Sequence, residues 1–426
     1  MENIPQIKAL KAQDLIGLKA VGSVLPFRVN NYVVEELIDW DNIPEDPIYQ
    51  LTFPQRGMLA QRDYSRLVEL VWKKAPSKEI KQVAHQIQKT LNPHPAEQMQ
   101  LNVPSMNQLT LEGVQHKYKE TVLFFPSQGQ TCHSYCTYCF RWAQFVGIKE
   151  LQFQSNEIKH LVDYLKPRRK VSNVLFTGGD PLIMKTEILR RYIEPLLIPE
   201  LDHITTIRIG TKATSYWPYR FVTDSDSDEL LRLFEKCQKA GKTIAIMAHY
   251  SHPRELETSI SQVAVQRIRN SGAIIRCQAP LIRKVNDDSS LWRDLWSMQV
   301  KLGMIPYYMF IERDTGPKNY FEIPLHKSLE IFQNAYKQVS GLARTVRGPS
   351  MSATPGKVVI DGVSHINKEK VFVLKFIQAR NPDWVGRPFF AKFDPTATWL
   401  SDLCPAFGKQ NFFFEETPEP IERALP

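Results

Sequence analysis

The chain has 426 residues, of which 43% are hydrophobic and 23% are charged, a composition typical of a globular protein with a large core. It opens without the basic and apolar segments of a signal peptide, and no uncharged apolar run is long enough to cross a bilayer, so we expect a cytoplasmic protein. The net charge of +9 is scattered, and its one dense cluster, residues 166–170, is expected to be an exposed helix end, which argues against nucleic-acid and membrane partners.

Residues 1–115 are predicted to form a helical N-terminal arm that packs around a second part, residues 116–348. The third part, residues 349–426, is unusually aromatic, and we expect its rings to lie in a core or a subunit interface. These boundaries divide the chain into an arm, a central domain and a C-terminal segment.

Three of the six cysteines, Cys132, Cys136 and Cys139, lie within eight residues. The other three, at positions 237, 277 and 404, are isolated in the sequence, and we expect them to be buried. The C-x3-C-x2-C spacing lets one loop turn three thiolates toward a common metal centre. No second Cys or His pair supplies the fourth ligand that structural zinc needs, and His133 is too constrained within the loop to do so. Three thiolates on a four-iron cluster leave one iron open for chemistry. A zinc knuckle and a chance group of buried thiols remain alternatives.

From residue 120 onward, short apolar runs alternate with amphipathic helical stretches. Helices are predicted to end at Gly241, Gly272 and Gly303, and Ser225 or Asp226 is a candidate N-cap. Repeated βα units imply a parallel sheet, because parallel neighbours need helical crossovers. We therefore predict an α/β fold, a partial (β/α)6 barrel with a helical arm and a mixed C-terminal extension. The predicted strands are TVLFF, VLFTG, ITTIRIG, KTIAIMAHY, GAIIRCQAPL and IPYYMFIE.

Polar and glycine residues follow each predicted strand. Parallel α/β folds place their reactive groups on the loops after the carboxyl ends of strands, so these residues are expected to share one edge of the sheet. A single Gly-Gly pair is more often a tight turn, and a single His is more often structural. Six such segments at one edge favour a functional site. They are the cysteine loop, 177–181, 210–212, 249–253, 277–278 and 312–314.

The cysteine loop, with an aromatic residue just before its last cysteine, resembles the signature of the radical S-adenosylmethionine (SAM) superfamily. The motifs TGGDPL, RIGTKA, MAHYSHPREL, PYYMFIERDTGPKNYF and PGKVVIDG follow in the order found in the lysine 2,3-aminomutase family. LPFRVNNYVVEELIDWDNIPEDPIY and HKYKETVLF also resemble that family, from about residue 20 to about residue 360. The resemblance implies a radical SAM barrel and an isomerase that converts an α-amino acid to a β-amino acid.

The resemblance also implies which residues bind the iron-sulfur cluster and SAM. Cys132, Cys136 and Cys139 would hold a 4Fe-4S cluster whose open iron chelates SAM, with a reductant such as flavodoxin or ferredoxin as electron donor. The positions that it places around SAM are Tyr138 at the adenine, Gly178, Gly179 and Asp180 at the amino group, and His249 and Gln278 nearby.

Members of this family also bind pyridoxal 5'-phosphate (PLP), which holds the migrating nitrogen as an imine that can bridge both carbons. The resemblance implies that Lys357, in SATPGKV, is the catalytic lysine that forms the resting Schiff base, and that Lys117 and Tyr118 contact the phosphate. The chain departs from the family in two places. Only Pro355-Gly356 precedes the lysine where the family has several glycines, and Lys117 replaces an arginine, which keeps charge but loses bidentate geometry.

The substrate is expected to be a small-molecule α-amino acid. Arg141 matches the arginine that pairs with the α-carboxylate in this family. Lysine-specific members hold the distal ammonium with two aspartates, of which one matches Asp314, whereas residues 347–352 contain no second acid. Lysine is the leading candidate, and Arg344 and Arg347 favour an acidic substrate as the alternative.

Two other functions stay open. One is a PLP-independent radical SAM enzyme that acts on another substrate, such as a lysine side chain of a protein. The other is a non-catalytic metal-binding or redox-sensing protein. The cysteine group that binds zinc near the C-terminus of some family members is missing, so we predict no zinc. Whether the chain forms a homo-oligomer is left open by the sequence.

Overall fold

One large sheet organises the part of the chain that the structure describes, residues 3–92, 101–147, 150 and 152–416 of a computed structural model. The strands are β1 (Ser105–Met106), β2 (Leu109–Thr110), β3 (Val114–Tyr118), β4 (Thr121–Phe124), β5 (Asn173–Phe176), β6 (Thr206–Thr211), β7 (Thr243–His249), β8 (Ile274–Leu281), β9 (Ile305–Ile311), β10 (Arg347–Ser352), β11 (Gly356–Ile366), β12 (Glu369–Ala379) and β13 (Pro388–Lys392). β1 and β2 pair with each other, and the other strands form a sheet in consecutive order from β13 to β3.

The centre of this sheet is parallel, and its two ends are antiparallel. Strands β4 to β9 pair in parallel, each with its sequence neighbour, and these are the six strands that the apolar runs predict. β10 continues the parallel order beside β9, and then β11, β12 and β13 form an antiparallel meander. β3 pairs antiparallel with β4 at the opposite end. The predicted α/β fold with six βα units is therefore confirmed.

Helices cover the outer face of the parallel strands. Their apolar sides form one core with outward-facing strand residues such as Phe176, Ile209 and Ile246. The helices predicted to end at Gly241, Gly272 and Gly303 do end just before these glycines, which have positive φ angles of 76°, 80° and 73°. The helices are α1 (Pro5–Lys8), α2 (Ala12–Gly22), α3 (Pro47–Thr52), α4 (Gln61–Trp72), α5 (Ser77–Leu91), α6 (Ile158–Leu165), α7 (Thr186–Ile193), α8 (Ala213–Tyr216), α9 (Ser227–Lys239), α10 (Ser259–Asn270), α11 (Ser289–Lys301), α12 (Lys318–Phe321) and α13 (Leu325–Lys337).

Side chains from the two ends of the sheet meet and close the barrel. Lys117 on β3 donates a hydrogen bond to the carbonyl of Ala353, between β10 and β11. Arg380, just after β12, donates to Asn102 Oδ1 (2.6 Å) and to the Thr354 carbonyl (2.8 Å). Because β3 and β13 are the terminal strands of this sheet and do not pair with each other, side chains rather than strand pairing bridge the gap. A cavity lies where they meet.

The arm and the C-terminal segment each bring their own apolar core. Helices α1 to α5 pack in a cluster that also contains Tyr138 and Trp142 from the cysteine loop. Phenylalanines of β12, β13 and the following segment pack against one another in another cluster, as expected for a core. Cys404 is exposed, so the expectation that it is buried is wrong. No helix in the described ranges is long and apolar enough to cross a membrane.

Candidate active site

The N-terminal arm holds the cysteine loop at the carboxyl end of the parallel strands. Arg28 donates from Nη1 to Thr131 Oγ1 (2.9 Å), and its carbonyl accepts from the Tyr135 amide (2.8 Å). The backbone amide of Asn30 donates to Ser134 Oγ (3.1 Å). The Thr137 amide donates to the carbonyl of Leu51 on α3 (2.9 Å). The arm therefore fixes the loop backbone from several sides before any cofactor binds.

The three thiols of this loop lie close enough to influence one another electrostatically. Burial raises the pKa of the Cys132 thiol well above its usual value, with Asp180 and the other two cysteines adding to the effect. Burial likewise raises the pKa of Cys139 to about 12. Metal binding must therefore displace protons from these thiols. In the described part of the chain, no three Cys, His, Asp or Glu side chains converge on a single ion. His133 stacks on Trp217 with its ring planes 11° apart. The donor set fits a larger iron-sulfur cluster held by three thiolates.

The Gly-Gly-Asp segment after β5 packs directly against the start of the cysteine loop. A Cβ atom on Gly179 would lie 2.5 Å from the backbone nitrogen and oxygen of Thr131, so only glycine permits this approach. Gly178 has a φ of +130°. The buried Asp180 carboxylate accepts from Thr211 Oγ1 (2.7 Å) and from the amides of Leu182, Lys212 and Ala213. Its side chain therefore braces this rim.

Tyr138, His249 and Gln278 gather beside the loop. Tyr138 Oη lies 3.0 Å from His249 Nδ1 and 3.3 Å from Ser251 Oγ. His249, at the end of β7, is paired in register with Gln278 on β8. Burial, together with the nearby Lys212 ammonium, lowers the pKa of His249 well below its usual value, so the ring is neutral. The structure thus brings the predicted SAM positions together at one edge of the sheet.

A buried ion pair that the sequence motifs did not single out supports the same edge. Lys212 Nζ lies 2.7 Å from Glu255 Oε1, whose carboxylate also accepts from the amides of Ser251 and His252. Lys212 Nζ also donates to the His249 carbonyl (3.2 Å). The pair ties the loop after β6 to the loop after β7.

The cavity beside the cysteine loop is strongly cationic. It encloses about 190 Å³ and is lined by residues from β3, β4, β5, β6, the cysteine loop and the β10 to β12 meander. None of the described residues that line it is an Asp or a Glu. Such a cavity favours anionic ligands. Its six cationic side chains are Lys117, Arg141, Arg208, Arg313, Lys357 and Arg380.

Lys357 lies on the wall of this cavity at the start of β11. Its Nζ atom donates to Gln378 Oε1 (2.9 Å) and lies 4.7 Å from the centre of the Tyr308 ring. Burial, together with Arg208 and Arg347, lowers the pKa of Lys357 to about 7. A buried lysine with a lowered pKa presents a neutral, nucleophilic amine. The preceding Gly356 serves a purpose that the sequence did not reveal, since its Cβ would collide with the Gln378 carbonyl on β12.

The predicted substrate residues differ in where they lie. Arg141 lines the cavity, stacks over the rings of Phe125 (4.4 Å) and Phe140 (4.9 Å), and has its pKa lowered to about 10 by burial. Lys117 and Tyr118, the predicted phosphate contacts, line it as well. Asp314 is not among the lining residues, whereas its neighbour Arg313 is.

Sequence reasoning did not single out Arg208 or Arg380, and it included Arg313 only as part of the segment 312–314, although all three line the cavity. Arg208 carried a usable signal. It interrupts the apolar run TIRIG on β6, where an arginine between two buried isoleucines must point to the opposite, interior face.

The comparisons with known proteins identify the domain to which the cysteine loop belongs. A sequence profile of the Radical SAM superfamily matches residues 127–278, from the approach to the cysteine loop into β8. The chain therefore carries a radical SAM domain and is a radical SAM enzyme. This class of protein uses a 4Fe-4S cluster and SAM, and the matched residues include the cysteine loop and the Gly-Gly-Asp segment.

Within that class, the chain is homologous to the lysine 2,3-aminomutases, which confirms the resemblance. It is 28% identical over 397 residues to a protein of Aquifex aeolicus provisionally named an L-lysine 2,3-aminomutase, covering 93% of this chain and 92% of that one. It is 30% identical over 231 residues to the L-lysine 2,3-aminomutase of Methanococcus maripaludis, and this alignment covers 54% of this chain and 50% of that one. It is 27% identical over 212 residues to the glutamate 2,3-aminomutase of Clostridioides difficile, and this alignment covers 50% of this chain and 47% of that one. The alignments thus span about half the length of the last two relatives.

Proposed function

We propose that this protein is a PLP-dependent radical SAM 2,3-aminomutase that converts an α-amino acid to a β-amino acid. The observation that carries the proposal is the position of Lys357, an amine with a lowered pKa in a cationic cavity. Arg141, two residues after the last cysteine of the loop, lines the same cavity. The lysine and the cysteine loop therefore serve one reaction space.

The residues divide the work as follows. Cys132, Cys136 and Cys139 would hold the cluster with three thiolates, which would leave one iron available to SAM. The rim built by Gly178, Gly179 and Asp180 lies directly against that loop. When bound, the cluster supplies the electron that cleaves SAM to a radical, and PLP supplies the carbonyl carbon that holds the migrating nitrogen.

Cationic side chains of the cavity orient the phosphate of PLP and the α-carboxylate of the substrate. Lys117, Arg208 and Arg380 provide the positive charge that a phosphate ester requires, and Lys117 and Arg380 are positioned by hydrogen bonds to the 353–354 backbone. Arg141 is held by two aromatic rings in a position to pair with the α-carboxylate. Because the pKa of Lys357 is lowered to about 7, a large fraction of this amine is neutral at neutral pH and can attack a carbonyl carbon without first losing a proton.

Asp314 gives lysine less support as the substrate than the sequence suggested. The expectation of lysine rested on an aspartate beside the distal ammonium, yet Asp314 lies outside the set of cavity-lining residues. The proposal is therefore an α-amino acid aminomutase, with electron delivery by flavodoxin or ferredoxin and a cytoplasmic location as further predictions.

Anaerobic reconstitution with iron, sulfide and PLP tests the proposal. Wild type is expected to show the visible absorbance of lysine-bound PLP, and Lys357→Ala should lose this band while it keeps its cluster. Lys375→Ala is the matched control, because Lys375 lies in the same meander but pairs with Asp361 (2.8 Å) outside the cavity.

Two outcomes would favour the alternatives. A PLP-independent radical SAM enzyme would produce 5'-deoxyadenosine from SAM and dithionite but never acquire the PLP band. A redox sensor would hold a cluster and produce no 5'-deoxyadenosine.

A further inference from the structure

Tyr216, the last residue of α8, places a buried hydroxyl group beside the cysteine loop. Its side chain is 1% exposed, and no described residue makes a hydrogen bond of normal geometry with its Oη atom. A buried hydroxyl without a hydrogen bond costs folding free energy, and proteins rarely keep one unless it has a function. This hydroxyl is therefore a candidate for a contact that matters when the loop holds its cluster.

The end of α8 is held firmly against the cysteine loop. Asn30 Nδ2 donates to the Tyr216 carbonyl (2.8 Å), and the Asn30 amide donates to Ser134 Oγ (3.1 Å). One residue of the N-terminal arm thus ties the two segments together. The next residue, Trp217, stacks on His133 with ring centres 6.1 Å apart. These contacts fix the distance between the Tyr216 backbone and the loop.

Cys136 is the loop cysteine on which the Tyr216 hydroxyl acts. The two side chains pack in the same apolar cluster. Burial raises the pKa of the Cys136 thiol, and the Lys212 ammonium together with the hydroxyls of Tyr138 and Tyr216 opposes that rise. A hydroxyl favours a thiolate in this way only when its hydrogen lies toward the sulfur. Burial also raises the pKa of Tyr216 well above its usual value, so this hydroxyl keeps its proton.

The two tyrosines beside Cys136 differ in what else their hydroxyls contact. Tyr138 Oη lies 3.0 Å from His249 Nδ1 and 3.3 Å from Ser251 Oγ, so it has two further partners. Tyr216 Oη has no such second partner in the described ranges. Lys212 Nζ, 4.2 Å from the centre of the Tyr216 ring, holds that ring in place. The Tyr216 proton is therefore available to the sulfur.

We propose that Tyr216 raises the reduction potential of the cluster by donating a hydrogen bond to Cys136 Sγ when that sulfur is a cluster ligand. Reduction adds one electron to the cluster, and part of the added negative charge falls on its sulfur atoms. A hydrogen bond to sulfur therefore stabilises the reduced state more than the oxidised state. Tyr216 acts through Cys136 and is a positioning residue. The inference goes beyond the proposed function, because it needs the cluster but neither PLP nor a particular substrate.

A redox titration of reconstituted Tyr216→Phe, followed by electron paramagnetic resonance without SAM, tests the proposal. Phenylalanine keeps the ring and removes only the hydroxyl, and dithionite supplies the electron. We expect the equilibrium constant for reduction to fall by about tenfold, which is a shift of about 59 mV to more negative potential for one electron. Iron and sulfide content should match wild type. The cluster-free variant should have a Tm no lower than wild type, since the hydroxyl made no normal hydrogen bond.

Tyr250→Phe is the matched control. Tyr250 is also fully buried, and its Oη atom likewise has no hydrogen-bond partner among the residues that the structure describes. It packs, however, in the core between the parallel strands and the helices, and none of the three loop cysteines is among the groups that shift its pKa. The control variant should have the same reduction potential as wild type.

Each other result contradicts the inference. An unchanged potential in Tyr216→Phe removes the hydrogen bond, and equal shifts in both variants mean that any change near this edge loosens the site. Loss of the cluster from Tyr216→Phe alone would make Tyr216 a structural support of the loop. If wild type takes up no iron-sulfur cluster, the inference fails together with the radical chemistry. A missing PLP band or β-amino acid, in contrast, contradicts only the proposed function.

Discussion

At the scale of single residues, Lys357 combines burial with a lack of nearby negative charge among the described residues. Its amine donates to an uncharged amide, Gln378, and its charged neighbours are Arg208 and Arg347. A buried ammonium without a carboxylate partner destabilises the folded state. Proteins keep such groups where function requires them, and here the cost maintains a large neutral fraction of the amine at neutral pH.

Lys357→Met is therefore expected to stabilise the cofactor-free protein by roughly 1–4 kcal/mol while it abolishes PLP attachment. The folded-state pKa is about 7, far below that of an unfolded lysine, so between these values the unfolded state binds the extra proton. The free energy of unfolding of wild type must then rise with pH across that window.

Thermal unfolding at about pH 6 and about pH 9 checks the sign, because the penalty is complete below the folded-state pKa and shrinks above it. The variant should gain more in Tm at the lower pH. An equal or smaller gain there would show that Lys357 is not held in a destabilising environment.

At the scale of elements, the cysteine loop depends on the glycine pair after β5. Gly179→Ala would force its Cβ against the Thr131 backbone and displace the first cysteine of the loop, Cys132. We expect cluster retention to weaken by roughly 10- to 100-fold, as for other changes that disturb the supports of metal ligands. Iron and sulfide per chain after reconstitution and desalting provide the measurement.

Gly210→Ala is the matched control for this prediction. Gly210 lies near the end of β6 at the same edge, and its Cβ would make only ordinary contacts, with Thr177 Oγ1 at 3.5 Å as the nearest atom. It should retain the cluster as wild type does. Equal loss of iron in both variants would mean that any added methyl at this edge disturbs the loop.

Local sequence signals predicted the elements well, whereas contacts between distant segments escaped them. The six apolar runs and the helix-ending glycines depend on local periodicity and on backbone φ, which sequence reports directly. Asp226 shows the limit: it precedes α9, yet its carboxylate binds Arg220 and the amide of Thr186 on another helix. The support that Arg28 and Leu51 give the cysteine loop was equally invisible, because it joins segments about 100 residues apart.

At the scale of the whole molecule, the curvature of one sheet brings two binding regions together. The parallel strands present the cysteine loop and the edge that we propose binds SAM, and the antiparallel meander brings Lys357 to the same interior. Motif order placed most of the site residues in this region, but it could not distinguish Asp314 from Arg313. A shift of one residue beyond a strand end changes which side chain faces a cavity, and only the three-dimensional path of the chain determines it.

The central claim is that cluster, SAM and Lys357 act on one substrate in one cavity. Mass spectrometry of the products formed by reconstituted wild type and Lys357→Ala, each given SAM, dithionite and amino acids, tests it most directly. The account predicts a β-amino acid from wild type and none from the variant, although the variant can still reduce its cluster. A β-amino acid from Lys357→Ala, or a wild-type loop that binds zinc and leaves SAM intact, would contradict it.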